Sequence, residues 1–158
     1  MQKKKLWIPI VAGILVAEAV GALSALLSGG FGNFYTNLEQ PPLAPPGWLF
    51  PVAWTILYAL MGAASGLIWA KAGHTPEGRT ALAFYGLQLA LNFSWSIIFF
   101  RFQALGLSVA IILLMTLLVI WTTVLFYRIE PLAGYLMIPY ILWLLFATYL
   151  NIGVWILN

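Results

Sequence analysis

Three stretches of this sequence bring indole, amide and hydroxyl groups together at helical spacing. At about 100° per residue, Gln88, Asn92, Trp95, Ser96 and Phe99 fall on one side of a helix. Tyr140, Trp143, Ala147, Leu150 and Asn151 do the same further on. Trp54, Tyr58 and Ser65 lie within about 40° of one another on a third. Flat aromatic faces beside a few hydrogen-bonding groups suit a hydrophobic ligand with sparse polar atoms, because such sites pair apolar walls with a few orienting groups. The bland alternatives are an interfacial aromatic belt and an amide that bonds a neighbouring helix. The belt reading fits Trp7, Trp48, Trp69 and Trp155, which stand near the ends of apolar runs. It fits Trp54, Trp95 and Trp143 less well.

Conventional catalytic chemistry has no signature here. His74 is the sole histidine and cysteine is absent, so no His–carboxylate metal cluster, thiol nucleophile or disulfide framework can be drawn. No nucleophile elbow, Walker loop or dinucleotide fingerprint is present. No Ser–His or Ser–Lys arrangement is visible inside the apolar runs. Nor is there the basic stripe of a nucleic-acid binder.

The elements that must position these groups are membrane helices. The chain of 158 residues is 63% hydrophobic and only 7% charged, against about 25% charge in a soluble domain. Such a sequence cannot make a water-facing surface, which predicts an all-α integral membrane protein. Five apolar blocks, each near the roughly 20 residues that cross a bilayer, run over 6–27, 48–70, 81–100, 105–127 and 132–157. They leave no room for a soluble domain, so residues 1–158 read as one five-helix bundle. The connections after the third and fourth blocks are so short that the last three helices must be antiparallel neighbours. Lys3, Lys4 and Lys5 before the first block resemble the start of a signal peptide. The block outruns an ordinary signal core, so it is read as a retained helix.

Basic residues set the expected orientation. Lys3, Lys4, Lys5, Lys71, Arg79 and Arg128 gather on one side, with Arg101 alone on the other. The N-terminus is therefore expected in the cytoplasm and the C-terminus outside, as in a bacterial plasma membrane. The long first loop, 28–47, then lies outside. It leads into the segment Pro41–Tyr58, where two X-Pro-Pro steps favour extended backbone and Pro51 falls near a helix start. This stiff, aromatic-flanked segment suits a lid over a pocket.

Two further features carry alternatives. Glu18 is the only acidic residue well inside a span. It is either a proton or cation site, or a carboxyl that is protonated or bonded to a neighbouring helix. Gly13, Ala17, Gly21 and Ala25 recur every four residues, a row that lets another helix approach closely. In the third block Gly86, Ala90 and Ser94 form a second small face, opposite the polar one, suited to a second copy of the chain.

At this point the chain resembles the translocator protein family, also called tryptophan-rich sensory proteins or peripheral-type benzodiazepine receptors. Pro45-Pro46 with Phe50–Tyr58, Tyr85–Phe100, and Pro139–Asn151 with Trp155 carry the resemblance. It implies a dimerising five-helix receptor that binds porphyrins such as protoporphyrin IX and other hydrophobic molecules, with no required cofactor and no metal. The alternatives are a transporter of porphyrin or lipid, and a scaffold with an incidental pocket. Five helices give no even-numbered inverted repeat, which weighs against alternating access. Family pocket positions match Tyr35, Trp54, Asn92, Trp95, Ser96, Trp143, Ala147 and Leu150. The resemblance implies stacking by Trp54 and Trp143, hydrogen bonding by Asn92, and a thin wall at Ala147. Some bacterial relatives degrade porphyrin in light, and the tryptophans implicated match Trp54 and Trp143. The chain departs from the family at Leu43 and Leu107, where relatives often carry tryptophan. It also lacks the basic residue of the proposed sterol motif after Tyr149.

Overall fold

The structure, a computed structural model, describes residues 3–29 and 32–158. Met1, Gln2, Gly30 and Phe31 lie outside the described residues, as do the side chains of Lys3 and Lys4 counted among the basic residues above. Five long helices and one short one follow in order. They are α1 (Lys3–Leu27), α2 (Gly32–Asn37), α3 (Leu49–Ala72), α4 (Pro76–Ser96), α5 (Leu105–Ile129) and α6 (Pro131–Leu157). All five long helices are long and apolar enough to cross a membrane.

Each helix starts where local chemistry dictates. At α4 the Thr75 hydroxyl accepts from the Gly78 N–H at 3.0 Å, Pro76 occupies the first turn, and Glu77 meets the positive end of the helix dipole. This polar start explains why α4 begins ahead of the apolar block expected from Ala81. Its far end widens into a π-helical turn over Ile97–Arg101, closed by a Phe102 N–H to Ile97 C=O bond of 3.0 Å. The wider turn brings Phe99 and Phe100 both into the core.

α3 touches all four other long helices and is their common core, whereas α1 packs mainly on α3. The small row on α1 meets α3 of the same chain, Gly13 against the backbone of Gly62 and Gly66 and Gly21 against the Tyr58 ring. A Cβ placed on Gly62 would stand 2.5 Å from the Gly13 carbonyl oxygen and 2.7 Å from Ile14 Cα. Trp7, Trp48, Trp69 and Trp155 are all exposed on the bundle surface, as expected of interfacial anchors.

The first loop is more structured than its prolines predict. The segment Pro41–Ala44 is not extended throughout but closes a tight turn, with the Ala44 N–H 3.3 Å from the Pro41 carbonyl. Pro42 presets the first corner, and Leu43 takes the second at φ +71°, a left-handed conformation usually given to glycine or asparagine. The turn is seated on the C-terminal half of α6. Tyr149 Oη donates to the Pro42 carbonyl at 2.6 Å, and Pro41 packs against Gly153. The Glu39 backbone N–H donates to Asn158 Oδ1 at 3.1 Å, and Asn158 Nδ2 donates to the Glu39 carbonyl at 2.8 Å. The first loop and the C-terminus therefore share one end of the bundle.

At the opposite end Lys71 Nζ lies 2.6 Å from Glu130 Oε2, tying the end of α3 to the α5–α6 connection. The hydrogen bond from the Lys71 ammonium holds the Glu130 carboxyl below the usual carboxylate range. Its folded pKa lies below the unfolded value of about 4.3. The tie thus contributes stability above that value and loses it as pH falls through the folded pKa. Because Lys71 is exposed and Glu130 only half-buried, solvent screening keeps the effect small. Glu130→Gln should shrink the drop in melting temperature between pH 6 and pH 3; an unchanged drop would assign acid sensitivity elsewhere.

Candidate functional site

Trp54 on α3 is the centre of the aromatic cluster. Its ring centroid lies 6.2 Å from Trp143, 6.4 Å from Trp95, 6.1 Å from Tyr140 and 5.7 Å from Tyr58. The Trp54 and Trp143 planes are nearly perpendicular, at 84°, an edge-to-face arrangement favoured by ring quadrupoles. Phe50 extends the cluster towards the lid, with its ring 5.9 Å from Trp143 and 4.8 Å from Tyr35 of α2. Phe50 was absent from the sequence-based list because the helical-face argument for α3 began at Trp54.

Beneath the indoles runs a polar chain. Tyr58 Oη donates to Asn92 Oδ1 at 2.7 Å, Asn92 Nδ2 donates to Tyr140 Oη at 2.6 Å, and Tyr140 Oη donates to Gln88 Oε1 at 2.7 Å. Both ends of the Asn92 amide are thus engaged between helices, the bland alternative named for it above. One further acceptor site and one N–H remain on that amide. A second chain starts at Trp95, whose Nε1 donates to Asn151 Oδ1 at 2.9 Å. Asn151 Nδ2 then donates to Ser108 Oγ at 3.0 Å. By contrast, Trp143 Nε1 is buried without a hydrogen-bond partner, as is Gln88 Nε2. Buried donors left unpaired are uncommon and call for an explanation.

The lid side is held by Tyr35. Its hydroxyl donates to the Pro45 carbonyl at 3.0 Å, and Gln40 Nε2 donates to the Tyr35 carbonyl at 2.7 Å. Burial pushes the Tyr35 phenol up to about 12, so it stays a donor across the physiological range.

The eight expected ligand positions are neighbours but do not line one continuous cavity. Tyr35, Trp95, Ala147 and Leu150 surround a closed space of about 20 Å³ under the lid, enough for about one water. Trp54 and Ser96 line a cavity of about 280 Å³ against α1, together with Glu18. Trp143 lines an outer groove of about 430 Å³ between α3 and α6. Asn92 lines none of these three spaces. A further space of about 530 Å³ is an apolar groove at the Lys5 end of α1. It is lined by Ile8, Ala12 and Trp69 and holds none of the expected residues.

Of the other singled-out residues, Leu43 and Leu107 are exposed and lie outside these cavities. His74 is an exposed loop residue. Among the described residues no group of three or more metal-ligating side chains occurs.

The fold and this cluster define an α-helical integral membrane protein of five spans, with a tryptophan-centred interior. The TspO/MBR family matches residues 13–156, and the chain belongs to that family. It is 38% identical to the protein CrtK of Rhodobacter capsulatus, over 91% of this chain and 89% of that one. It is 36% identical to the human translocator protein, over 94% and 89% of the two chains. With the tryptophan-rich sensory protein of Cereibacter sphaeroides it shares 35% identity, over 96% and 92%.

Proposed function

We propose that this protein is a membrane receptor for porphyrins, such as protoporphyrin IX, and related flat hydrophobic molecules, held among α3, α4 and α6 under the first loop. The observation that carries the reading is the unpaired Trp143 N–H beside the Trp54 face. An indole donor without an acceptor, next to aromatic rings packed edge to face, suits a planar ligand with carboxylate or carbonyl edges. A porphyrin needs far more than the closed space of about 20 Å³. It would be accommodated by moving Tyr35 and Phe50 and joining that space to the outer groove that Trp143 lines. Ala147, in the wall of the closed space, keeps that wall thin.

Turnover in light follows from the same residues. Indole is a ready one-electron donor to a photo-excited porphyrin, and dioxygen serves as the final oxidant. Trp54→Phe combined with Trp143→Phe keeps aromatic packing but removes the donors. The double variant should bind protoporphyrin IX within about tenfold of the parent, roughly 1.4 kcal/mol, yet lose its light-driven degradation. Porphyrin bleaching at the parental rate would rule the indoles out. A binding-only receptor bleaches no faster than free porphyrin, and flux across proteoliposomes tests the transporter alternative.

The Gly86, Ala90 and Ser94 face of α4 fits a contact with a second copy. A Cβ at Gly86 would meet nothing within 4 Å, and Ala90 is exposed. Small residues on a lipid-facing surface allow close approach between helices. Gly86→Leu should therefore shift crosslinked dimer to monomer while leaving the melting temperature of the monomer intact. Undiminished crosslinking would place the interface on another face.

A further inference from the structure

Glu18 has a setting that porphyrin binding does not use. It sits in the middle of α1, and among the described residues neither a hydrogen bond nor an ion pair reaches its carboxyl. Among the described residues the ion pair is that of Lys71 with Glu130, at the far end of α3. Glu18 lines the cavity of about 280 Å³ together with Trp54, Tyr58 and Ser96. Tyr58 Oη is committed to Asn92, so it does not serve the carboxyl. Ala22 and Thr55 line the same space and are exposed on the bundle surface, so the cavity opens sideways towards lipid between α1 and α3. Ala22 leaves room with its single methyl, while Gly21 lets the Tyr58 ring lie directly against α1, where an added Cβ would stand 2.3 Å from it.

An unpaired carboxyl in a span is costly unless it finds a cation or a proton. The walls choose among cations. Calcium takes about six to eight oxygen ligands and magnesium about six, and among side chains this cavity offers one carboxylate and the hydroxyls of Thr55, Tyr58 and Ser96, two of them already bonded to Pro51 and Asn92. A weakly hydrated organic ammonium has the opposite needs. It gains from one carboxylate and from the faces of tryptophan and tyrosine, and its hydrocarbon part can remain in the lipid outside Ala22 and Thr55.

We propose that the cavity between α1 and α3 at Glu18 is a binding site for the ammonium head of lipophilic amines. The carboxylate of Glu18 pairs with the charge, and Trp54 and Tyr58 flank it. The site admits its ligand from the membrane and stands independently of porphyrin binding, although Trp54 borders both.

The test compares benzyltrimethylammonium with its neutral carbon isostere, neopentylbenzene. Saturable binding of each to the full-length protein in zwitterionic nanodiscs is measured by equilibrium dialysis against empty nanodiscs. The ammonium should bind at least tenfold tighter than the isostere. Glu18→Gln, which keeps shape and removes charge, should erase that preference. Ala22→Phe, which keeps the charge and fills the cavity, should weaken ammonium binding at least tenfold. Equal affinities in the parent protein overturn the proposal, as does a preference that survives in either variant. Protoporphyrin IX is titrated in parallel. Its failure to bind beside a Glu18-dependent ammonium preference would overturn the porphyrin reading and leave this one standing.

Discussion

Gly62→Leu should lower the stability of the protein by about 3 kcal/mol or more, the upper range for overpacking, read as the loss of melting temperature in detergent. The reason is the nature of the obstacle. At Gly62 an added Cβ meets backbone atoms, the Gly13 carbonyl oxygen at 2.5 Å and Ile14 Cα at 2.7 Å. A side chain could rotate away, but a helix backbone must move as a whole. α1 depends on this contact more than the other spans do, since it packs chiefly on α3. Even Gly62→Ala should destabilise, although alanine is the better helix former by about 1 kcal/mol. Gly86→Ala, read on the monomer, supplies the contrast: nothing in the chain lies within 4 Å of its Cβ, so helix propensity should dominate and monomer stability should rise slightly. If Gly62→Ala and Gly86→Ala behaved alike, the close approach of α1 to α3 would not be what holds the first helix.

That contact also marks how far the sequence could be read. The row at Gly13, Ala17, Gly21 and Ala25 announced a close helix partner but not its identity: Gly62, Gly66 and Ala70 on α3 recur at the same spacing, yet spacing alone does not say which of several small rows meet. The five spans were legible because each is a long apolar run, and the aromatic faces because they recur at helical spacing. α2 was not, since six residues are too short to show a period. The π-helical turn was invisible for a related reason. A constant 100° step cannot anticipate a wider turn, so Phe100 was missed while Phe99 was found. Sequence also identified which side chains would gather, yet not how they divide the space. Whether Trp54 and Trp143 border one cavity or two depends on the rotamers they adopt on packed neighbours, and these follow from the whole bundle. Glu18 illustrates the same point from the other side. Its type was conspicuous, but only the fold brings Trp54 and Tyr58 to it.

Asn92→Leu should cost about 2 kcal/mol, at the high end for a polar contact between membrane helices, where measured pair energies reach about 1.7 kcal/mol. Leucine fills nearly the same volume, so the loss is not that of a cavity. It comes from the partners. Tyr58 Oη loses its acceptor, and Tyr140 Oη loses the Asn92 donor although it keeps Gln88 as acceptor. A buried hydroxyl with no acceptor bears its full desolvation cost, whereas removing both partners leaves nothing unsatisfied. Adding Tyr58→Phe to Asn92→Leu should therefore recover part of the stability lost in the single variant. The two residues share one hydrogen bond, so their effects must be non-additive. The measurement is a double-mutant cycle on melting or on unfolding in mixed micelles. A double variant whose loss equals the sum of the single losses would mean that the amide acts alone. The chain from Tyr58 through Asn92 to Tyr140 would then not tie α3, α4 and α6 together. Non-additivity of the expected sign would make the same amide the rigid floor beneath Trp54, so that a ligand entering from the lid side meets a wall fixed by three helices.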